Sequence, residues 1–168
     1  RSAHEVFQMR RGQLYIAGRA HVLQFERQQG LHALEEIEKI RTAIPEVVLR
    51  TTVIVGYPGE TDTHFNELLE FVEWAHFDAL GCFPYFPEAD TPAAELPDQL
   101  PDPVKDQRVD TLMSRQQQIV FDKMDKQIGR ELPVLVDETH DHHAVGRYYG
   151  QAPHIDSVCR IQNCNTHT

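Results

Sequence analysis

Long apolar runs are missing from this chain: the longest, around Val53–Val55, is strand-sized, whereas a membrane span needs about 18 to 20 continuous apolar residues. Positive charge is also scarce. Lys and Arg number 16 against 26 Asp and Glu, a formal net charge of -10, with a pI near 5.4. Affinity for nucleic acid or an anionic membrane would have to be built against that field, so direct nucleic-acid binding is disfavoured and a basic partner suits better. Cysteine is limited to Cys82, Cys159 and Cys164, an odd number at irregular spacing with no secretory hydrophobic segment ahead of it. That excludes a disulfide framework and points to a reducing, cytoplasmic setting. The hydrophobic share, 40% of 168 residues, is low for a globular protein and suits one ordinary domain, or one domain with an appendage. The chain opens "RSAHEVF" without Met, which suggests a processed product or a fragment with its start upstream.

Hydrophobic periodicity organises what is present. Ser2 to Arg11 reads as a short helix capped by Ser2, with Val6, Met9 and Phe7 giving a partial apolar face; Gly12 to Gly30 has no clean period and cannot be placed. Leu31 to Ala43 reads as a helix, with Leu34, Ile37, Ile40 and Ile44 recurring at helical spacing until Pro45 ends it. Leu49 to Val55 is a strand by its Thr, Val and Ile content. Thr61 or Asp62 caps the next helix, whose Phe65, Leu68, Leu69, Val72 and Ala75 share a face, and Asp78 to Phe83 is the next strand. Helix, strand, helix, strand is the alternation of a parallel sheet, either a doubly wound sheet or an α/β barrel. A Pro-rich exit loop follows, then a helix from Asp102 and Pro103 to about Ile128. Its sparse stripe of Val104, Leu112, Ile119 and Met124 predicts a surface helix bridging two units. Beyond Gly129, three short strands suggest a small β-barrel with too few residues to close five strands.

The turn "GYPGET" after the first parallel strand carries the strongest chemical candidate. A phosphate loop needs Lys followed by Ser or Thr, and Glu60 stands where positive charge is required. A plain strand-to-helix turn accounts for Gly56, Pro58 and Gly59. Strand parity adds to it: Arg50, Thr52 and Ile54 share one face, while Leu49, Thr51, Val53 and Val55 share the face that helices would cover. Arg50 then points toward the barrel interior near the strand's start, while Ile54 and Gly56 lie near its C-terminal end, where α/β active sites form. His140, His142 and His143 with Asp141 can ligate a metal only if their loop wraps around it, and such a run is more often a solvated turn. Cys159 and Cys164 form too isolated a pair to indicate iron or zinc, Cys82 reads as a small core residue, and no serine nucleophile elbow is present.

In ordered series, "LRTTVIVGYPGET", "FDALGCFPYFPEADTPAAELPDQLP", "VKDQRVDTLMSRQQQIV", "PVLVDE" and "GRYYGQAPHID" resemble the radical S-adenosylmethionine methylthiotransferases, most closely the RimO-like ribosomal-protein aspartyl methylthiotransferases. "SAHEVFQMRR" resembles the helix before their penultimate barrel strand. The resemblance implies an α/β fold: residues 1–100 as the C-terminal part of a partly open six-stranded radical-SAM barrel, 101–129 as a long linker helix, and 130–168 as a truncated, OB-like TRAM barrel. It implies S-adenosyl-L-methionine and four-iron four-sulfur clusters as cofactors, and a basic small-subunit ribosomal protein as partner, modified with a methylthio group on the β-carbon of an aspartate. Arg50, Thr52, Ile54 and Gly56 are then expected near the cofactor, Gly59 and Glu60 in its loop, and Tyr85 at the mouth of the next strand; the same positions serve equally well as structural lining of a barrel.

The departures matter too. The Cys-x-x-x-Cys-x-x-Cys motif that holds a radical cluster is absent, the segment within Gly12 to Gly30 has no family counterpart, Phe86 replaces a usual Ser, and "CRIQNCNTHT" drifts away from TRAM. The expectation is a chain inert by itself and derived from a methylthiotransferase. The alternatives are a non-catalytic module that binds a ribosomal protein, a tRNA methylthiotransferase of the same superfamily, and an unrelated α/β enzyme for which no catalytic set is visible.

Overall fold

The computed structural model describes residues 7–10, 13–16 and 27–162. Two sheets are joined by helices. The first has strand order β1 (Phe7–Arg10), β2 (Gln13–Ile16), β3 (Val48–Val55), β4 (Ala79–Pro84). β1 and β2 are antiparallel, whereas β2–β3 and β3–β4 are parallel. The expected helix near the N-terminus is therefore corrected over Phe7–Arg10. The sequence there alternates apolar and polar residue by residue, a strand period that the three-residue spacing of Val6 and Met9 concealed. Ser2 lies outside the described residues. Within the unassigned Gly12 to Gly30 stretch, Gln13–Ile16 is a strand and Arg27 begins a helix.

Helix α1 (Arg27–Ala43) ends where Pro45 lacks an N–H, and Arg41 near its end reaches across to the Ala75 carbonyl. Helix α2 (Asp62–Ala75) has a reciprocal cap: the Thr61 hydroxyl accepts from the His64 N–H at 3.3 Å, and His64 Nδ1 accepts from the Thr61 N–H at 3.3 Å. It ends on His76 in the left-handed region. Leu49 and Val55 of β3 and Leu80 and Cys82 of β4 meet Phe65, Val72 and Ala75 of α2 and Leu112 and Ile119 of α3 (Asp102–Asp125) in one core. The helices thus cover the face that parity assigned to them.

The expectation for α3 needs correcting. It joins the two sheets as expected but does not merely lie on a surface: Lys105, Arg108, Leu112, Gln116 and Ile119 are buried at spacings of three and four, a continuous helical stripe against the sheet and α2. Three of the five are polar, which hid the stripe from a hydrophobic reading. Their burial is tolerable because their stems pack while their N–H donors find acceptors. Gln116 Nε2, for example, donates to the Phe77 carbonyl at 2.9 Å. Val104 is only partly buried and Met124 is exposed.

The Pro-rich exit loop holds a short 3-10 helix, Pro92–Glu95, capped by Thr91. Beyond α3, β5 (Val134–Thr139), β6 (His143–Tyr148) and β7 (Cys159–Gln162) form an antiparallel sheet in that order, with a bulge between Val136 and Glu138. This second sheet is tied back to the first. Arg50 at the start of β3 makes a two-pronged pair with Asp156 at 2.5 and 3.0 Å, and Tyr149 Oη donates to the Glu46 carbonyl at 3.0 Å. Among the described residues, no helix is long and apolar enough to cross a membrane.

Candidate functional site

The parallel pairing of β3 and β4 sets Arg50 beside Ala79, Thr52 beside Gly81 and Ile54 beside Phe83. Paired residues share a face, and among the described residues no helix covers this one. Thr52 is exposed, Ile54 is 38% exposed and Phe83 is 58% exposed. A Cβ built on Gly81 would meet Phe83 Cε2 at 3.6 Å and Thr52 Oγ1 at 3.7 Å, so these side chains lie around a shallow bare patch of backbone. Gly81 and Phe83 were not among the residues singled out from sequence. The same parity rule applied to β4 finds them.

The turn that follows β3 is built differently. Gly56 has φ +78° and Gly59 has φ +80°, a region favourable to glycine. The Glu60 side chain folds back under the turn and accepts from the Gly56 N–H at 3.0 Å. Arg108 of α3 holds it there, donating to Glu60 Oε1 at 2.5 Å and to the Glu60 carbonyl at 3.2 Å. The other arm of Arg108 reaches exposed Asp62 at 2.7 Å, and its guanidinium lies 5.3 Å from the Phe65 ring centroid. Gly59 donates to the Asp98 carbonyl at 3.1 Å, fastening the turn to the exit loop.

Tyr85 closes the end of the ladder, its N–H donating to the Val55 carbonyl at 2.8 Å. Its ring is buried edge-on to Tyr57 at 5.2 Å and faces Lys105 Nζ at 5.9 Å. Among the described residues its hydroxyl has no hydrogen-bond partner. The residues expected at one site therefore fall into three groups. Thr52 and Ile54 line the open face; Gly56, Gly59, Glu60 and Tyr85 belong to the clamped turn under α3; and Arg50 is drawn to Asp156. Lys105 and Arg108 were missed because a buried cation reads as a solvated one in sequence.

The remaining candidates have plain surroundings. Cys82 points into the core, and burial, followed by the Glu60 charge, pushes its thiol up to about 12. Cys159 donates its thiol to Gln151 Oε1 at 3.2 Å; Cys164 lies outside the described residues. His140 and His143 stack at 4.5 Å, and burial, with Arg160 and the neighbouring histidines, lowers the His143 pKa. Among the described residues, no group of three His, Cys, Asp or Glu side chains is placed to hold a metal ion.

The pair that ties the two sheets is pH-dependent. Burial works to raise the Asp156 carboxyl, but hydrogen bonds from Arg50 and the Ala152 N–H outweigh it and hold the carboxyl below its ordinary value. A lowered folded pKa contributes stability that is present above the unfolded value and lost as pH falls through the folded one. Urea midpoints measured from about pH 6 down to about pH 3 should fall less steeply in Asp156→Asn than in the unaltered chain. Asp137, lowered by its hydrogen bond from Arg147, contributes to both proteins alike.

The glycines give a second expectation. A Cβ on Gly56 would lie 2.5 Å from Lys105 Cγ, whereas one on Gly59 would have nothing within 4 Å. Gly59→Ala should cost about 1 to 2 kcal/mol for its backbone conformation alone, and Gly56→Ala roughly 1 to 3 kcal/mol more for the clash. In a Lys105→Ala background the gap between the two variants, measured by urea unfolding, should narrow.

Comparison with known proteins joins these parts. The TRAM domain family model matches residues 128–168, so the tail that departs from TRAM by eye falls within the match. The ribosomal protein uS12 methylthiotransferase RimO of Cellvibrio japonicus (strain Ueda107) is 46% identical over 123 residues, covering 73% of this chain and 27% of that protein. The protein of the same name from Clostridioides difficile (strain 630) is 47% identical over 131 residues, covering 77% of this chain and 30% of that protein. For Aeromonas salmonicida (strain A449) the figures are 43% over 125 residues, 74% and 28%. Over about three quarters of its residues this chain is similar to proteins named ribosomal protein uS12 methylthiotransferase RimO, and it spans less than a third of their length.

Proposed function

We propose that the chain is part of a radical S-adenosylmethionine methylthiotransferase that modifies an aspartate of ribosomal protein uS12 in the cytoplasm. The observation that carries this reading is the identity of 46% over 123 residues to a protein of that name. In this reading residues 1–100 are the end of a partly open radical-SAM barrel, 101–129 a connecting helix packed on its outside, and 130–168 a partial TRAM domain. The parallel β3–β4 wall, with helices on one face only, supports it.

S-adenosyl-L-methionine, when bound, supplies the radical and the methyl group of this chemistry. The uncovered bed of Thr52, Ile54, Gly81 and Phe83 fits a flat, largely apolar group such as a purine ring. Gly56, Gly59, Glu60 and Tyr85 give the adjoining turn its shape, and Arg50 anchors the second sheet through Asp156. A four-iron four-sulfur cluster does not fit the described residues. It needs thiolates gathered at one place, while Cys82 is a buried, high-pKa thiol on the opposite face and Cys159 is engaged by Gln151. No step through iron is therefore assigned to these residues, and the chain by itself is catalytically inert. That mismatch also favours the second reading, a non-catalytic module that binds uS12.

Both readings meet one experiment in a bacterial strain lacking its own uS12 methylthiotransferase, with uS12 examined by mass spectrometry. The chain alone should leave uS12 unmodified, whereas a chimera in which it replaces the matching stretch of the Cellvibrio japonicus relative should add the methylthio mass, and Ile54→Glu in the chimera should abolish it. A folded, iron-loaded chimera that leaves uS12 unmodified would sink the enzyme reading. Modification by the chain alone would sink the inert one.

A further inference from the structure

Between Pro84 and Asp110 the chain has two cations, Lys105 and Arg108, and both are buried, at 4% and 5% exposure. The carboxylates of the same stretch do the opposite. Glu88, Asp90, Glu95, Asp98, Asp102 and Asp106 are all exposed, and among the described residues only Asp102 is in an ion pair, with Lys105 at 3.0 Å. The outward surface of this segment therefore presents negative charge alone. It is also ordered: Thr91 donates its hydroxyl to the Glu88 carbonyl at 2.8 Å, Gln99 Nε2 donates to the Ala93 and Leu96 carbonyls at 3.1 Å, and Asp98 accepts from Gly59. Beside it, at the C-terminal ends of β3 and β4, lie the uncovered apolar side chains Ile54, Phe83 and Phe86, with Phe86 76% exposed.

We infer that this face is a docking surface for a basic polypeptide segment, whose cations meet the carboxylate rim and whose apolar side chain covers Phe86, leaving Phe83 to the bed described above. Charge complementarity selects the occupant: a rim of one sign steers and orients a segment of the other and repels nucleic acid. Aromatic residues are enriched at protein interfaces, whose rims are polar and solvent-accessible. The inference deepens the proposed function by locating where its basic protein partner sits, and it requires no catalysis.

The test uses the purified chain without cofactor and a fluorescein-labelled peptide of alternating Lys, Arg and Leu, followed by fluorescence anisotropy. The triple variant Glu88→Lys, Glu95→Lys, Asp106→Lys should bind about tenfold more weakly or worse, whereas the equally charged control Glu35→Lys, Glu38→Lys, Glu70→Lys should change affinity by less than about twofold. All six positions are exposed, and far-UV circular dichroism should be alike in both variants. Phe86→Ala should weaken the unaltered surface several-fold. Equal losses in the two triple variants, undetectable peptide binding, or tighter binding of a single-stranded RNA than of the peptide would each overturn the inference. Peptide binding that persists while the chimera fails to modify uS12 would remove the enzymatic reading and leave this one standing.

Discussion

A guanidinium buried under a turn is costly unless every arm is met, and Arg108 is met on each side. It takes the Glu60 carboxylate and carbonyl with one nitrogen, Asp62 with the other, and lies against the Phe65 ring. Glu60 in turn closes the loop by accepting the Gly56 N–H. One ion pair thus fixes where β3 stops, how the chain reverses and where α2 begins. The open face of β3 and β4 keeps its place because this clamp holds its upper end.

The same device recurs along α3. Gln116 holds the Phe77 carbonyl, and Lys123 holds Asp78 and the His76 carbonyl at the other end of β4. Asp78 itself accepts from the Leu49 N–H at 2.8 Å. Leu112 and Ile119 supply the apolar burial between these polar ties. The helix is therefore a brace on the sheet, and the chain leaves it toward the second sheet already oriented. Arg50 and Asp156 complete that connection from the first strand.

What the sequence made legible followed from clean periods. The Ile37 and Ile40 spacing, the Thr61 cap, the β-branched run from Leu49 and the parity of Thr52 and Ile54 all yielded the observed local structure. The stripe of α3 was illegible because Lys105, Arg108 and Gln116 occupy core-facing positions, and hydrophobicity cannot signal a polar group whose partner is distant in sequence. Glu60 was visible as a turn acid but not as a clamp, since its partner lies 48 residues away. The strand at Phe7 was lost because a four-residue alternation is too short to outweigh a single helical spacing. Arg50 was placed on the right face of β3; its partner Asp156, 106 residues on, carried no local signal.

Glu60 and Arg108 act as one unit, which a double-mutant cycle of Glu60→Ala and Arg108→Ala measures directly by urea unfolding. Either single change strands a buried charge and should cost about 3 kcal/mol, with the double change costing little more than one of them and a coupling of about 2 kcal/mol or above. Costs that simply add, with coupling near zero, would contradict it.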